Sequence, residues 1–390
     1  MPIWTGPRKV AVIPVTPTGV AGAPVGNAPA DFRAQVMRRI FYDPAPNTNL
    51  DRSLRKYIFS VSYGRAWLDA DVLDTVTVHW EHPGADPNPS VGADVGKTMS
   101  NAIAASQPRV AGYDYVMVVF PPGIPNIRSW AFWGGGGQAT SYVFHDNPLG
   151  AWAMELLHMV TQFGDLYGPP ASRPLSPGNL DEMDTAGAMH PSTFTKLHMG
   201  WLDADSVKLV DPRQPSDHIL HPLALLQPPP DDRVTALKLQ IDRPDHYLLV
   251  EAREWLDEYD RNTPGLAEGI PIEGLAVYDV DETTWPPLWL RAQGLKSSNE
   301  YVSDDRRFKI RVGAHIAGGG FNVSVVPLPE PQRCAEIRQA IADAKSEIAA
   351  LQADLHQPGA NKAQIVRQIR ELQRTITMLT GEGTSLHCTL

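Results

Sequence analysis

The spacing of apolar and polar residues divides the chain into three differently patterned stretches. In the first, residues 8–15 form a short β-branched run that predicts a buried strand, closed by a Pro/Gly/Ala-rich stretch at 17–30. A helix is expected over 31–41, with Asp31 as N-cap and Pro44 just past its end. Extended runs are expected at 57–63 and 75–80, with residues 60–64 turning between them. An amphipathic pattern predicts a helix at 94–105, and the nearly continuous apolar run 115–120 predicts a central strand covered on both faces. Helices are expected again at 149–163 and 192–199. Strand, helix, strand and helix in succession make an α/β layer.

From about 205 to 328 the pattern turns to β. Residues 236–241 alternate, and further strands are expected at 247–251, 274–280, 308–314 and 321–326, which together suggest an antiparallel sandwich-like module. The tail is helical: Ile337, Ile341, Ala344, Ile348, Leu351 and Leu355 recur at steps of four and three. After Gln357-Pro358-Gly359, the residues Ile365, Ile369, Leu372, Ile376 and Leu379 repeat that spacing. Two heptad-patterned helices joined by a Pro-Gly turn predict an antiparallel coiled-coil hairpin. The expected organisation is an α+β protein: an α/β domain over 1–204, a β-sandwich-like domain over 205–330 and a helical hairpin over 331–390.

The cysteines sharpen the tail. The chain has two, Cys334 and Cys388. Folding back at the Pro-Gly turn brings both to the open end of the hairpin, so a disulfide is expected there; two unrelated thiols are the alternative. Closing a loop of that length is worth on the order of 4 kcal/mol, and a bridge implies an oxidising compartment. The 36 prolines and 31 glycines exclude a helical bundle and favour short strands with long ordered loops. A formal charge of -10 without Lys/Arg clusters argues against nucleic acid as a partner. No apolar run approaches the roughly 18 residues of a membrane span, and Met1-Pro2-Ile3-Trp4-Thr5 does not read as a signal peptide.

Candidate chemistry sits on the helix at 149–163. Trp152-Ala153-Met154-Glu155-Leu156-Leu157-His158 has the frame of the H-E-x-x-H zinc helix, in which two histidines on one face bind zinc and the glutamate acts as general base. Met154 stands at the first histidine position. By itself E-x-x-H is a very weak signal, and an ordinary amphipathic helix with a satisfied histidine carries it far more often. Its surroundings add Phe163-Gly164-Asp165-Leu166-Tyr167, then Met183-Asp184-Thr185-Ala186-Gly187, then Lys196-Leu197-His198-Met199-Gly200-Trp201-Leu202. In these segments the chain resembles the immune inhibitor A and gametolysin-type zinc metallopeptidases. The likeness extends in order from about residue 8 to 328. It includes residues 57–69, Gly112-Tyr113-Asp114-Tyr115-Val116, the glycine segment 130–137, and the strands at 247–253 and 274–281 with Pro264-Gly265 between them.

That resemblance implies a metzincin-like catalytic domain, with Glu155 as general base, His158 and Asp165 as zinc ligands, and Met183 as the Met-turn residue. It also implies a protein or peptide in the groove and a secreted, extracellular setting. Two departures count against zinc. Methionine offers a neutral thioether where zinc favours nitrogen, oxygen or thiolate. Asp165 also lies one residue further from His158 than the family pattern has it, with Thr161 where the family's bend glycine falls. His145 and His190 are candidate compensating ligands, or simply loop histidines. The expectation is a pseudopeptidase with zinc weakened or absent. An active endopeptidase with an unusual ligand set, or with an engineered Met154, is one alternative; an assembly or toxin-type protein docking through its hairpin is the other.

Overall fold

The computed structural model describes residues 3–19, 22–44, 50–80, 91–124, 129–132, 138–168, 175–225, 227–230, 232–261, 268–304, 307–328, 330–357 and 361–385. The chain is mixed α/β and divides into two compact units. The first unit comprises 1–209, 219–294 and 316–321, and the second comprises 210–218, 295–315 and 322–390.

The first unit opens with β1 (Gly6–Thr18), followed by α1 (Phe32–Phe41), α2 (Leu54–Val61), β2 (Ala66–Val72) and β3 (Val76–His79). Then come α3 (Val91–Ala105), β4 (Tyr115–Phe120), β5 (Trp130–Phe132) and β6 (Ala139–Phe144). The strand order is β2-β1-β4-β6-β5, with β3 pairing the far end of β1. All these pairings are parallel except that of β5, which lies antiparallel on the edge beside β6. Period two sends alternate residues to opposite faces. Val10, Val12, Met117, Val119 and Val143 face one core with α1 and α2. Ala11, Ile13, Val15, Val116, Val118 and Phe120 face another with Val95, Met99 and Ala102 of α3. Both faces are covered, which is why 115–120 reads as an unbroken apolar run.

One expectation is corrected here. Residues 57–61, expected as part of an extended run, belong to helix α2. Leu54, Tyr57, Ile58 and Val61 are buried at helical spacing, and the Ser53 side chain caps the helix by accepting from the Lys56 N–H. The β-branched and aromatic residues suggested a strand, but the period of burial is that of a helix. Tyr63 and Gly64, both at positive φ, then turn the chain into β2.

The unit continues with α4 (Leu149–Thr161), α5 (Glu182–Thr185) and α6 (Thr193–Met199). Next come β7 (Val207–Val210), β8 (Ser216–Leu220, most of it in the second unit), β9 (Ala236–Arg243), β10 (His246–Arg253), β11 (Gly274–Asp281) and β12 (Leu288–Leu295). A five-stranded sheet runs β12-β11-β10-β9-β7, antiparallel where β10 meets β9 and β11. Leu249, Ala276, Tyr278 and Leu288 of that sheet share one core with Trp152, Leu156 and Met183. The expected boundary at 204/205 therefore falls inside this unit.

The remaining elements are β13 (Glu300–Val302), β14 (Phe308–His315), β15 (Phe321–Pro327), α7 (Glu330–Asp354) and α8 (Lys362–Ser385). A four-stranded sheet runs β13-β14-β15-β8. The two C-terminal helices pack together through Ile337, Ile341 and Leu379, with Ala340 and Ile376 against them. Arg333, near the start of α7, is buried and forks onto both oxygens of Glu382, near the end of α8, at 2.5 and 2.6 Å. The Pro358-Gly359 turn and Cys388 lie outside the described residues, as do residues 133–137 of the glycine segment and Pro264-Gly265. Among the described residues, no helix is long and apolar enough to cross a membrane.

Candidate functional site

Helix α4 is buried along nearly its whole length, which its apolar composition predicts. At its N-terminal end a Cβ on Gly150 would overlap the Ala186 carbonyl, so only glycine lets the helix press against the turn after α5. Before the helix, the Asn147 side-chain oxygen accepts from the Phe144 N–H at 2.9 Å and from the Ser129 hydroxyl at 2.6 Å. This ties the start of the edge strand β5 to the helix entry.

The helix stops at Gln162, which takes the left-handed conformation (φ 57°). The Thr161 hydroxyl donates to the Leu157 carbonyl at 2.7 Å and accepts from the Phe163 N–H at 3.2 Å. Gln162 and the Thr161 hydroxyl thus make the bend, and the extra residue of spacing is absorbed. Asp165 returns to within 2.9 Å of His158 Nε2. The next N–H, of Leu166, donates to the Met183 carbonyl at 2.8 Å. Met183 itself is fully buried, and its N–H donates to Asp181, whose carboxylate also holds the Ser192 N–H and the Thr195 hydroxyl.

Glu155, His158 and Asp165 open into a cavity of about 550 Å³, lined also by Ser129, Trp130, Ala131, Met154, Gly164, Tyr167 and Trp285. Trp285 lies directly on Gly164, where a Cβ would meet its ring at 2.6 Å, and its ring meets Phe163 edge to face. Trp130, Tyr167 and Trp285 remain 57%, 49% and 52% exposed around the opening. Sequence reasoning gave these rings no role. Trp130 and Tyr167 stand in segments the family pattern picked out, but no local pattern connects Trp285 with residues some 120 positions earlier.

Hydrogen bonding decides the state of His158. Its Nδ1 lies 2.5 Å from the Phe163 carbonyl and its Nε2 2.9 Å from an Asp165 carboxylate oxygen. Both partners can accept, so the two contacts are satisfied together when both ring nitrogens carry hydrogen, which favours the protonated ring. Burial acts against that charge, but the Asp165 bond, the Glu155 and Asp165 charges and the Phe163 carbonyl together raise the His158 pKa above its ordinary value. Burial also pushes the Glu155 carboxyl up, to about 7, with the His158 charge opposing and Asp165 adding to the rise. Glu155 Oε2 is buried without a hydrogen-bond partner.

These residues do not fit a zinc ion. Two zinc ligands in tetrahedral geometry stand roughly 3.3 Å apart for bonds of about 2.0 Å. His158 and Asp165 are closer and share a hydrogen instead. A metal would have to displace the hydrogen between His158 and Asp165, and Met154 is a poor donor beside them. Among the described residues, no group of three His, Cys, Asp or Glu side chains could hold a metal.

The two further histidines stand elsewhere. His145 packs edge-on against Phe32 and Trp152, and burial lowers its pKa. His190 is buried between Asp257, 2.6 Å from Nε2, and Lys196, 3.0 Å from Nδ1. Neither lines the cavity. The chain matches no family model, and no curated protein matches it.

Proposed function

We propose that this chain is a pseudopeptidase of the immune inhibitor A and gametolysin-type group, whose cleft binds a protein or peptide segment without zinc-dependent cleavage. The bonding of His158 carries this reading. The one histidine left on that helix has each ring nitrogen within hydrogen-bond distance of a protein acceptor, while Met154 stands one turn earlier. Family membership draws support from the order of the pieces: a buried helix bearing Glu155 and His158, Asp165 just after it, and Met183 bonded to the following residue. We read the first α/β layer as metzincin-like on that ground, and the β strands after residue 205 as sandwich-like.

The test is metal analysis of the purified protein together with casein cleavage. The expected result is substoichiometric zinc and no chelator-sensitive cleavage. Stoichiometric zinc with cleavage that chelator abolishes overturns the proposal. A Met154→His variant that gains both supports descent from an active site.

We read α7 and α8 as a coiled-coil hairpin pinned at its open end by Cys334 and Cys388. Burial of Ile337, Ile341, Ala344, Ile369 and Leu379, each at a heptad position, supports the helical pairing. A disulfide there fits a secreted protein. Thiol labelling before and after reduction tests it; two reactive thiols in the untreated protein sink the bridge.

A further inference from the structure

We propose that the cleft takes up the cationic end of a basic side chain, a lysine ammonium or an arginine guanidinium carried by a peptide, between Trp130, Tyr167 and Trp285 and above Glu155. This rests on the binding-protein reading and names what is bound.

The charge of the lining sets the class of ligand. Glu155 and Asp165 are the acidic side chains of the lining and His158 its one basic group, and no Lys or Arg is among the described lining residues. An anion entering there finds no Lys or Arg among those residues to pair with. An apolar side chain would seal Glu155 from water, although its Oε2 already lacks a partner. Leaving such a group buried and unsatisfied is costly. Only 8% of Glu155 is exposed. A donor brought by the ligand is the missing partner, and an ammonium or guanidinium brings several.

The walls agree with the floor. Three aromatic rings stand half-exposed at the opening, where their faces attract a cation and their area covers its aliphatic stem. Trp285 is held in place by Phe163 and by its contact with Gly164. The cavity, about 550 Å³, has the size of a small-ligand site and admits one long side chain.

The test uses the full-length protein and end-blocked peptides of the form Ala-Ala-X-Ala-Ala, with X lysine, arginine, norleucine or glutamate. Affinity is read by calorimetry, with n-butylammonium as a free-amine control. Lysine and arginine peptides are expected to bind about tenfold tighter than norleucine, with glutamate weakest. Glu155→Gln and Trp130→Ala should each shrink that difference. Trp130 is half-exposed on an edge strand, so its variant keeps the test readable should Glu155→Gln fail to fold. Norleucine binding as tightly as lysine overturns the inference and leaves the binding-protein reading standing. Butylammonium binding as tightly as the lysine peptide overturns the peptide as carrier. Cleavage of the lysine peptide on adding zinc overturns the non-cleaving reading and this inference with it.

Discussion

Two histidines of the first unit each face an aspartate, and their second neighbours make them differ. His158 has Asp165 at Nε2 and the Phe163 carbonyl at Nδ1. Two acceptors call for a hydrogen on each ring nitrogen, and these contacts raise the His158 pKa. His190 has Asp257 at Nε2 and the Lys196 amino group at Nδ1. That last contact needs one donor and one acceptor, where His158 meets two acceptors. A His–Asp contact therefore does not define a histidine's state; the group on the other nitrogen does.

The two sites also differ in what surrounds them. His158 borders an open cleft, whereas His190 lies within a packed polar network. Arg253 in that network spends all its hydrogens on Asp260, Glu251 and the carbonyls of Leu180 and His190. Lys196 also donates to the Val61 carbonyl and lies over the Tyr63 ring. A buried network is costly to break because each orphaned partner keeps its desolvation penalty. A cleft group can turn to water.

The largest expected effect is thus in the buried network. Arg253→Met strands Glu251 and Asp260, and should cost about 3–5 kcal/mol in urea unfolding. A loss under 1 kcal/mol would show that the network does not stabilise the unit.

Lys196→Met comes next and carries a pH signature. Burial lowers the Lys196 pKa to about 7, with Asp260, Asp257 and Glu251 opposing and Arg253 adding to the fall. His190, Tyr63 and Glu182 complete its surroundings. Between that value and the ordinary 10.5, the unfolded chain holds a proton that the folded one lacks, so stability gains with rising pH. The penalty is fully present below about 7 and relieved towards 10.5. Wild type minus variant should climb across pH 7–9.5 by at most about 1.4 kcal/mol per unit. A flat difference removes the assignment. At pH 7 the variant should lose about 1–3 kcal/mol from the two acceptors left unpaired.

The smallest effect is expected at the cleft. Asp165→Asn should cost about 1 kcal/mol or less, because Asp165 is partly exposed. Its clearer readout is NMR of the His158 ring: two ring N–H signals in the wild type near neutral pH, one in the variant. Two in both would mean that Asp165 is not what keeps the ring charged.

Much of this was legible in the linear sequence. The apolar run 115–120 became a strand covered on both faces, and Ile337, Ile341, Ile376 and Leu379 of the tail pattern became contacts of α7 with α8. Such patterns are local, and burial imposes the period of the element that carries them. The run at 57–63 misled because residue type and period disagreed, and packing against the core enforced the period. The frame of the candidate site was also readable, with Met154, Glu155, His158 and Asp165 in order along the chain. Their chemistry was not, because it depends on a bend at Gln162 that brings Asp165 back to His158, and on a carbonyl that claims Nδ1. Composition could report a lost histidine. Only the fold could place acceptors at both nitrogens of the remaining one, set Trp285 against Gly164 beside it, and send His190 into a different network, since hydrogen-bond partners are chosen in space and not along the chain.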